Sequence, residues 1–187
     1  MKQPRQSPQL TIGPGEESWD MTLQGQAVLR CGICLPKLTA VGRGPGRIAA
    51  HYRRLERLWR EYMQKELYLW ACLDYANRCV QGRSFKLWQG RLEGEVVYDG
   101  GGLLSLRMTW TEKRGYERPV CVTWGDCWLV EQGSVCPLGA FLPHKRLKKR
   151  WIGAKTGLKE RVSEFCLGED GLHLLTPTGQ EHILRVD

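Results

Sequence analysis

The cysteines spaced like a metal or redox site are Cys31 and Cys34, which form a single Cys-x-x-Cys pair. Two thiolates at this spacing hold zinc when a second pair of ligands completes a tetrahedral set. The other cysteines form no second pair of this kind. In a strand over residues 27–35 the two thiols would also point to opposite faces. We therefore expect no metal site and a structural role for both residues.

Sequence motifs of catalysis do not occur in this chain. The histidines His51, His144, His173 and His182 do not fall into a metal-binding spacing such as His-Glu-x-x-His. The sequence also has no nucleophile elbow, phosphate-binding loop or dinucleotide fingerprint. It predicts a protein that is not an enzyme and needs no cofactor. An active site assembled from distant residues is the alternative.

The basic segment 144–161 is the candidate binding site. It contains eight Lys or Arg residues and one Glu, so it carries most of the chain's net charge of +8. Cations beside an aromatic ring are typical of sites that neutralise phosphates and stack a base. The candidate binding residues are Lys145, Arg146, Lys148, Lys149, Arg150, Trp151 and Lys155. The alternatives are a solvated helix face whose Trp151 belongs to the core, and contact with an anionic membrane surface.

A strand and a long helix are predicted ahead of this segment. Residues 1–20 are rich in Gln, Pro, Gly and Ser, which predicts a flexible leader. The alternation from Met21 to Leu35 predicts a strand that Pro36 ends. Apolar residues then recur at helical spacing from Ile48 to about Cys79, which predicts a long amphipathic helix.

Residues 86–130 predict an antiparallel meander. Apolar and polar residues alternate from Trp88 to Tyr98, a run of Asp and three Gly turns the chain, and the alternation resumes from Leu104 to Trp110. A second turn at residues 114–116 leads to a third strand. One face of this sheet is apolar throughout, so we expect the long helix to cover it.

The remainder of the chain completes the predicted architecture. Residues 144–161 place Leu147, Trp151 and Leu158 on one stripe of a second helix, and two or three short strands follow it. The predicted fold class is α+β, with an antiparallel meander sheet packed against one long amphipathic helix and a second shorter basic helix. The predicted organisation is a flexible leader at residues 1–20 and a single α+β domain at residues 21–187.

These segments, in this order, resemble the C-terminal domain of RsiV-type anti-sigma factors, which also occurs beside PdaC-type peptidoglycan deacetylase domains. The strand CGICLPKL is followed by the helix opening IAAHYRRL, the hairpin strand LLSL, the segment PLGAFLP and the last hairpin FCLGEDGLHLLTP. The resemblance runs from about Gly25 to the C terminus. It implies that family's fold and a sensor domain that binds a protein or a cell-envelope ligand. Known members bind lysozyme, a basic protein that a chain with a net charge of +8 would repel.

The predicted function is therefore non-catalytic ligand or protein binding of a sensor or regulatory kind. The competing hypothesis is nucleic-acid or acidic-partner binding through residues 144–161. No run reaches the length of a membrane helix, and residues 1–20 lack the apolar stretch of a signal peptide. The sequence thus predicts a cytoplasmic protein with reduced thiols and no structural disulfides, although RsiV-type proteins are usually exported.

Overall fold

The computed structural model describes residues 9–141, 164–176 and 181–185. Within these ranges the chain forms eleven strands and one long helix. The strands are β1 (Gln9–Gly13), β2 (Glu16–Leu23), β3 (Gln26–Cys34), β4 (Lys37–Val41), β5 (Trp88–Gly100), β6 (Leu103–Lys113), β7 (Val120–Leu129), β8 (Ser134–Val135), β9 (Glu164–Gly168), β10 (Gly171–Leu175) and β11 (Glu181–Leu184). The helix consists of α1 (Arg43–Tyr62), a π-helical segment (Met63–Leu67) and α2 (Tyr68–Val80), and a short 3-10 turn spans Leu138–Ala140.

The long helix is present, and it begins earlier than the apolar spacing predicted. It starts after Gly42, whose φ of +99° favours glycine, and the Gly46 N–H donates to the Gly42 carbonyl at 3.1 Å. One face of the helix is buried against the large sheet. That face comprises Ile48, Tyr52, Trp59, Met63, Leu67 and Ala71.

The π-helical segment keeps this buried face on the sheet. From Trp59 the buried residues recur every four positions. In a straight α-helix of 3.6 residues per turn, four residues rotate about 40° beyond one full turn, so these side chains would gradually move off the buried face. The wider π turn takes up part of this drift. Met63 and Leu67 lie over Gly90 of β5, where an added Cβ would sit 3.0 Å from Met63 Cε and 3.4 Å from Leu67 Cδ2.

Six strands form the large sheet, in the order β2-β3-β5-β6-β7-β8. Strands β5, β6 and β7 pair antiparallel, as the alternation predicted. Their helix-facing side chains are buried in one core with the helix, among them Trp88, Leu92, Leu106, Met108 and Trp128. This part of the sheet is therefore the surface on which the helix lies.

A bulge in β5 changes the face of one predicted core residue. Val96 pairs with Leu106, but Tyr98 pairs with Ser105, so Val97 is an extra residue in the strand. Tyr98 therefore shares the face of Ser105 instead of the face of Val96. The sequence prediction that Val96 and Tyr98 lie on one face is wrong, because strict alternation cannot show a bulge.

The predicted architecture of one antiparallel sheet, one long helix and a second shorter basic helix is wrong. The described strands form three sheets, of six, three and two strands, and β3 pairs with β5 in parallel. Parallel pairing needs a crossover connection, which the long helix supplies between β3 and β5. The described residues contain the single rod of Arg43–Val80, and the segment predicted as the second helix, 144–161, lies outside them.

The three-stranded sheet β11-β10-β9 covers the other face of the large sheet near β6 and β7. The Leu167 N–H donates to Ser105 Oγ at 2.9 Å, and Ser105 is fully buried. Gly125 in β7 has no side chain at the place where the Phe165 carbonyl passes. The face that the alternation assigned to solvent is therefore partly a second interface.

Residues 9–20, predicted as part of a flexible leader, lie in β1 and β2. Strand β1 pairs with β4, and Leu10 and Ile12 pack against the core beside the helix. Strand β2 pairs with β3 through a turn at Gln24 and Gly25, both of which have positive φ. Backbone pairing orders this segment in spite of its polar composition. The prediction of a single domain from residue 21 onward stays a prediction.

The described helix does not have the combination of length and apolar composition that spanning a membrane requires.

Candidate binding cleft

A cleft of about 230 Å³ lies where the helix crosses the connection between β3 and β4. Its walls come from the start of β2, the end of β3, the start of β4 and α1. The lining residues are Gly15, Glu16, Glu17, Ile33, Leu35, Pro36, Lys37, Leu38, Ala49, Tyr52, Arg53, Glu56 and Arg60. None of these side chains is a Ser, Thr, Cys or His. The polar groups of the cleft are therefore carboxylates, cations and one phenol.

The floor of the cleft is apolar. Ile33 at the end of β3 and Leu35 just after it both face the floor, and Pro36 cannot continue the strand because its nitrogen cannot donate to the ladder. Ala49 contributes a methyl group where a longer side chain from α1 would fill the space. Gly15 allows a close approach of β2, because a Cβ there would overlap the Leu35 carbonyl. Small residues at these two positions keep the cleft open.

One wall of the cleft is a closed network of charges. Arg60 Nη2 donates to Glu17 Oε2 at 2.7 Å and to Glu56 Oε1 at 2.8 Å. The guanidinium also lies 4.6 Å from the ring centroid of Trp19. The Arg60 guanidinium lowers the pKa of the Glu17 carboxyl below its ordinary value. The two carboxylates share one guanidinium, so this wall keeps a net charge of one negative unit.

The opposite rim carries cations. Lys37 and Arg53 are exposed, and Arg57 follows Arg53 one helical turn later. Within the described ranges none of these three makes an ion pair or a hydrogen bond. Lys37 and Arg53 can therefore each form an ion pair with an acidic ligand, although the lining as a whole is balanced, with three Glu and three Lys or Arg residues.

A buried polar network supports the deep end of the cleft. The Tyr52 hydroxyl donates to Asp126 Oδ2 at 2.9 Å and accepts from Trp128 Nε1 at 3.0 Å. Burial raises the pKa of the Asp126 carboxyl above its ordinary value, although the Tyr52 hydrogen bond opposes the shift. His51 Nε2 lies 4.0 Å from the same carboxylate oxygen. The network ties α1 to β7 and holds Tyr52 in the cleft wall.

A second polar cluster joins the two larger sheets. His173 contacts Asp170 through Nε2 at 2.6 Å and Glu181 through Nδ1 at 2.5 Å. Arg107 Nη2 of β6 lies 3.0 Å from His173 Nδ1 and also binds Glu181. Both ring nitrogens of His173 are therefore occupied, and the imidazole is free neither as a base nor as a metal ligand. The arrangement is a clamp between β6, β10 and β11.

The binding residues predicted from the sequence all lie outside the described residues. They are Lys145, Arg146, Lys148, Lys149, Arg150, Trp151 and Lys155. The basic site at 144–161 therefore stays a prediction.

Cys31 and Cys34 both lie on β3, three residues apart and hence on opposite faces. Cys31 is buried, and burial raises the pKa of its thiol to about 12. In the part of the chain that the structure describes, no three His, Cys, Asp or Glu side chains are arranged to hold a metal ion.

Sequence reasoning did not find the cleft. Its residues come from four elements and share no motif. The start of β2 belongs to the predicted leader, and the start of β4 follows Pro36, where no strand was predicted. The available signals were Ala49, a small residue on the apolar stripe of the helix, and the cations Lys37 and Arg53. Arg53 has Glu56 three residues later, but in the structure Glu56 pairs with Arg60.

Comparison with known proteins identifies relatives of the fold. No protein-family model and no curated protein matches the sequence. A crystal structure of a DUF3298 family protein from Pseudomonas aeruginosa PAO1 aligns with a TM-score of 0.54 and 12% identity, over 91% of this chain and 83% of that one. A member of the same family from Bacteroides fragilis NCTC 9343 aligns with a TM-score of 0.55 and 13% identity, over 98% and 92%. At these identities the likeness concerns the fold alone, and the structural neighbours of this chain are DUF3298 family proteins.

Proposed function

We propose that this chain is a non-catalytic protein-binding domain of the sensor or regulatory kind, and that the cleft receives an apolar side chain of an acidic partner segment. The sequence resemblance to the C-terminal domain of RsiV-type anti-sigma factors supports a binding role. The observation that carries the proposal is the combination of an apolar floor with exposed cations at one rim that form no ion pair among the described residues.

The size of the cleft favours a side chain over a whole small molecule. Pockets for drug-sized ligands measure about 300–1,000 Å³, whereas this one measures about 230 Å³. Anchor residues of protein interfaces fill pockets of this smaller kind and supply much of the binding energy. An apolar residue of a partner is therefore the fitting occupant.

The charges of the cleft select the flanks of that residue. Glu17 and Glu56 already share Arg60, while Lys37 and Arg53 are exposed and form no ion pair among the described residues. An acidic group beside the anchor would meet these cations, and basic flanks would be repelled.

Short blocked peptides test the proposal directly. We would titrate ¹⁵N-labelled protein with the tripeptides Asp-Phe-Asp, Lys-Phe-Lys and Asp-Gly-Asp, each acetylated and amidated. We expect Asp-Phe-Asp to bind with a dissociation constant of roughly 0.1–5 mM, which corresponds to one buried anchor. Its chemical-shift changes should centre on Leu38, Ala49 and Arg53. The other two peptides should bind at least about tenfold more weakly. Lys-Phe-Lys lacks the acidic flanks, and Asp-Gly-Asp lacks the apolar side chain.

A filling variant completes the test. Ala49→Leu places a larger side chain in the cleft and should abolish Asp-Phe-Asp binding while the amide spectrum stays that of the folded protein. Equal binding of Asp-Phe-Asp and Asp-Gly-Asp, or shift changes away from the cleft, would contradict the proposal.

A further inference from the structure

Two buried cysteines face each other where β7 and β8 pair. The register matches Trp128 with Val135 and Leu129 with Ser134, so Cys127 and Cys136 occupy the next opposed positions. The Cys136 N–H donates to the Cys127 carbonyl at 2.7 Å, which continues the ladder. In a hydrogen-bonded antiparallel pair the Cα atoms are about 5.5 Å apart, inside the range of roughly 4.4–6.8 Å that a disulfide bridges.

The side chains of this pair also meet. Each of these two cysteines affects the pKa of the other's thiol, which makes them neighbours, and each residue is 2% exposed. Cys121, on the same strand, is exposed and differs from them in this respect. Cys166 of β9 is the third thiol of the neighbourhood and the competing partner for Cys127.

We propose that Cys127 and Cys136 are an oxidative modification site and join as a disulfide between β7 and β8. A disulfide-bonded small thiol, such as oxidised glutathione, is the oxidant. One thiolate attacks its sulfur–sulfur bond and releases one reduced thiol; the second cysteine thiolate then displaces the other. The two cysteines lose two protons and two electrons, and the oxidant becomes two thiols.

Burial determines when this reaction occurs. Burial raises the pKa of the Cys127 thiol to about 12, and it raises the pKa of the Cys136 thiol as well. The folded pair is therefore protonated at neutral pH and reacts slowly, because the thiolate is the nucleophile. We expect the bond to form during folding, after β7 and β8 have paired and before β9 packs on β7.

The bond would fix the turn that supports the start of the helix. Gly44 of α1 packs against the carbonyls of Val130 and Glu131, and Arg47 Nη1 donates to the Gln132 carbonyl at 3.4 Å. A cross-link between Cys127 and Cys136 closes a ring around this turn. From the entropy of closing so short a loop, the melting temperature should rise by roughly 5–10 °C.

Refolding with and without oxidant tests the inference. The full chain is refolded in a glutathione redox buffer or in dithiothreitol, alkylated, and digested with a protease that cleaves after Glu131, which separates the two cysteines. We expect a linked pair of peptides containing Cys127 and Cys136 after oxidative refolding, and the higher melting temperature in that sample. Cys121→Ser is the matched control and should keep both the link and the shift.

Cys127→Ser and Cys136→Ser should each lose the link and the difference between the two samples. If either variant fails to fold, peptide mapping of the wild type still decides the matter. Free thiols at both positions after oxidative refolding, or a link from Cys127 to Cys166, would overturn the inference.

Discussion

Replacement of Gly90 by alanine tests how closely the helix lies on the sheet. A methyl group at this position of β5 would lie 3.0 Å from Met63 Cε, 3.4 Å from Leu67 Cδ2 and closer still to Met63 Sδ. Met63 and Leu67 are fully buried, so their side chains must leave their present positions to make room. Overpacking of this kind costs about 1–3 kcal/mol. At roughly 2–4 °C per kcal/mol, the melting temperature should fall by several degrees.

A double-mutant cycle identifies the cause of that loss. Met63→Ala alone should cost about 2–5 kcal/mol, since it opens a cavity under the π-helical segment. In the double variant the methyl group added by Gly90→Ala occupies part of that cavity. The combined loss should therefore be smaller than the sum of the single losses by at least about 1 kcal/mol. Urea unfolding followed by tryptophan fluorescence measures all four free energies of unfolding.

Gly32→Ala is the matched control for this cycle. Gly32 lies in β3 of the same sheet, and its nearest neighbour for an added Cβ is Arg91 Cγ at 3.7 Å, an ordinary contact. This variant should change the free energy of unfolding by less than about 0.5 kcal/mol. If Gly90→Ala behaves like Gly32→Ala and shows no coupling to Met63, the helix does not rest on β5 at this point.

Three further predictions concern charge. Because the pKa of Asp126 is raised in the folded state, its contribution to stability is present below the ordinary carboxyl pKa and is lost as pH rises through the folded pKa. Asp126→Asn should therefore be more stable than the wild type in urea at pH 7 and equal to it near pH 3, and a difference that does not change with pH would contradict this. Arg107→Gln removes the clamp on His173 and Glu181 and should cost about 1–2 kcal/mol; amide exchange should then speed up in β10 and β11 but not in β3, and uniform acceleration would refute the local role. If residues 144–161 bind nucleic acid, the affinity for generic DNA should fall steeply with salt, and reversing the charges of its Lys148, Lys149 and Arg150 should flatten that slope.

Alternation was sufficient to predict the faces of β6 and β7, and of β5 as far as Val96, because one side of these strands contributes to the core with the helix. It was misleading on the other side. Ser105 and Arg107 look like solvent-facing polar residues, yet Ser105 is fully buried because its hydroxyl accepts the Leu167 N–H of β9. A polar group that is satisfied by a hydrogen bond can be buried at little cost, and one sequence does not show which distant strand satisfies it.

The candidate cleft depends on a packing geometry that the sequence could not supply. The helix itself was predictable from the spacing of its apolar residues, but where it crosses the β3–β4 connection follows from the parallel pairing of β3 with β5. The strand predicted from Met21 to Leu35 is in fact the end of β2 and the whole of β3, separated by the turn at Gln24 and Gly25. Strand β1 and the first part of β2 escaped prediction for a related reason. Backbone hydrogen bonds with β4 and β3 hold them, and these bonds do not depend on side-chain periodicity.

Charge reversal at two adjacent arginines tests the central claim most directly. Arg53 lines the cleft, whereas Arg54 does not, and both are exposed on α1. In titrations with acetyl-Asp-Phe-Asp-amide, Arg53→Glu should weaken binding by about fivefold or more, since an attraction becomes a repulsion. Arg54→Glu should change the dissociation constant by less than about twofold. Equal effects of the two variants would mean that the cleft is not where an acidic partner binds.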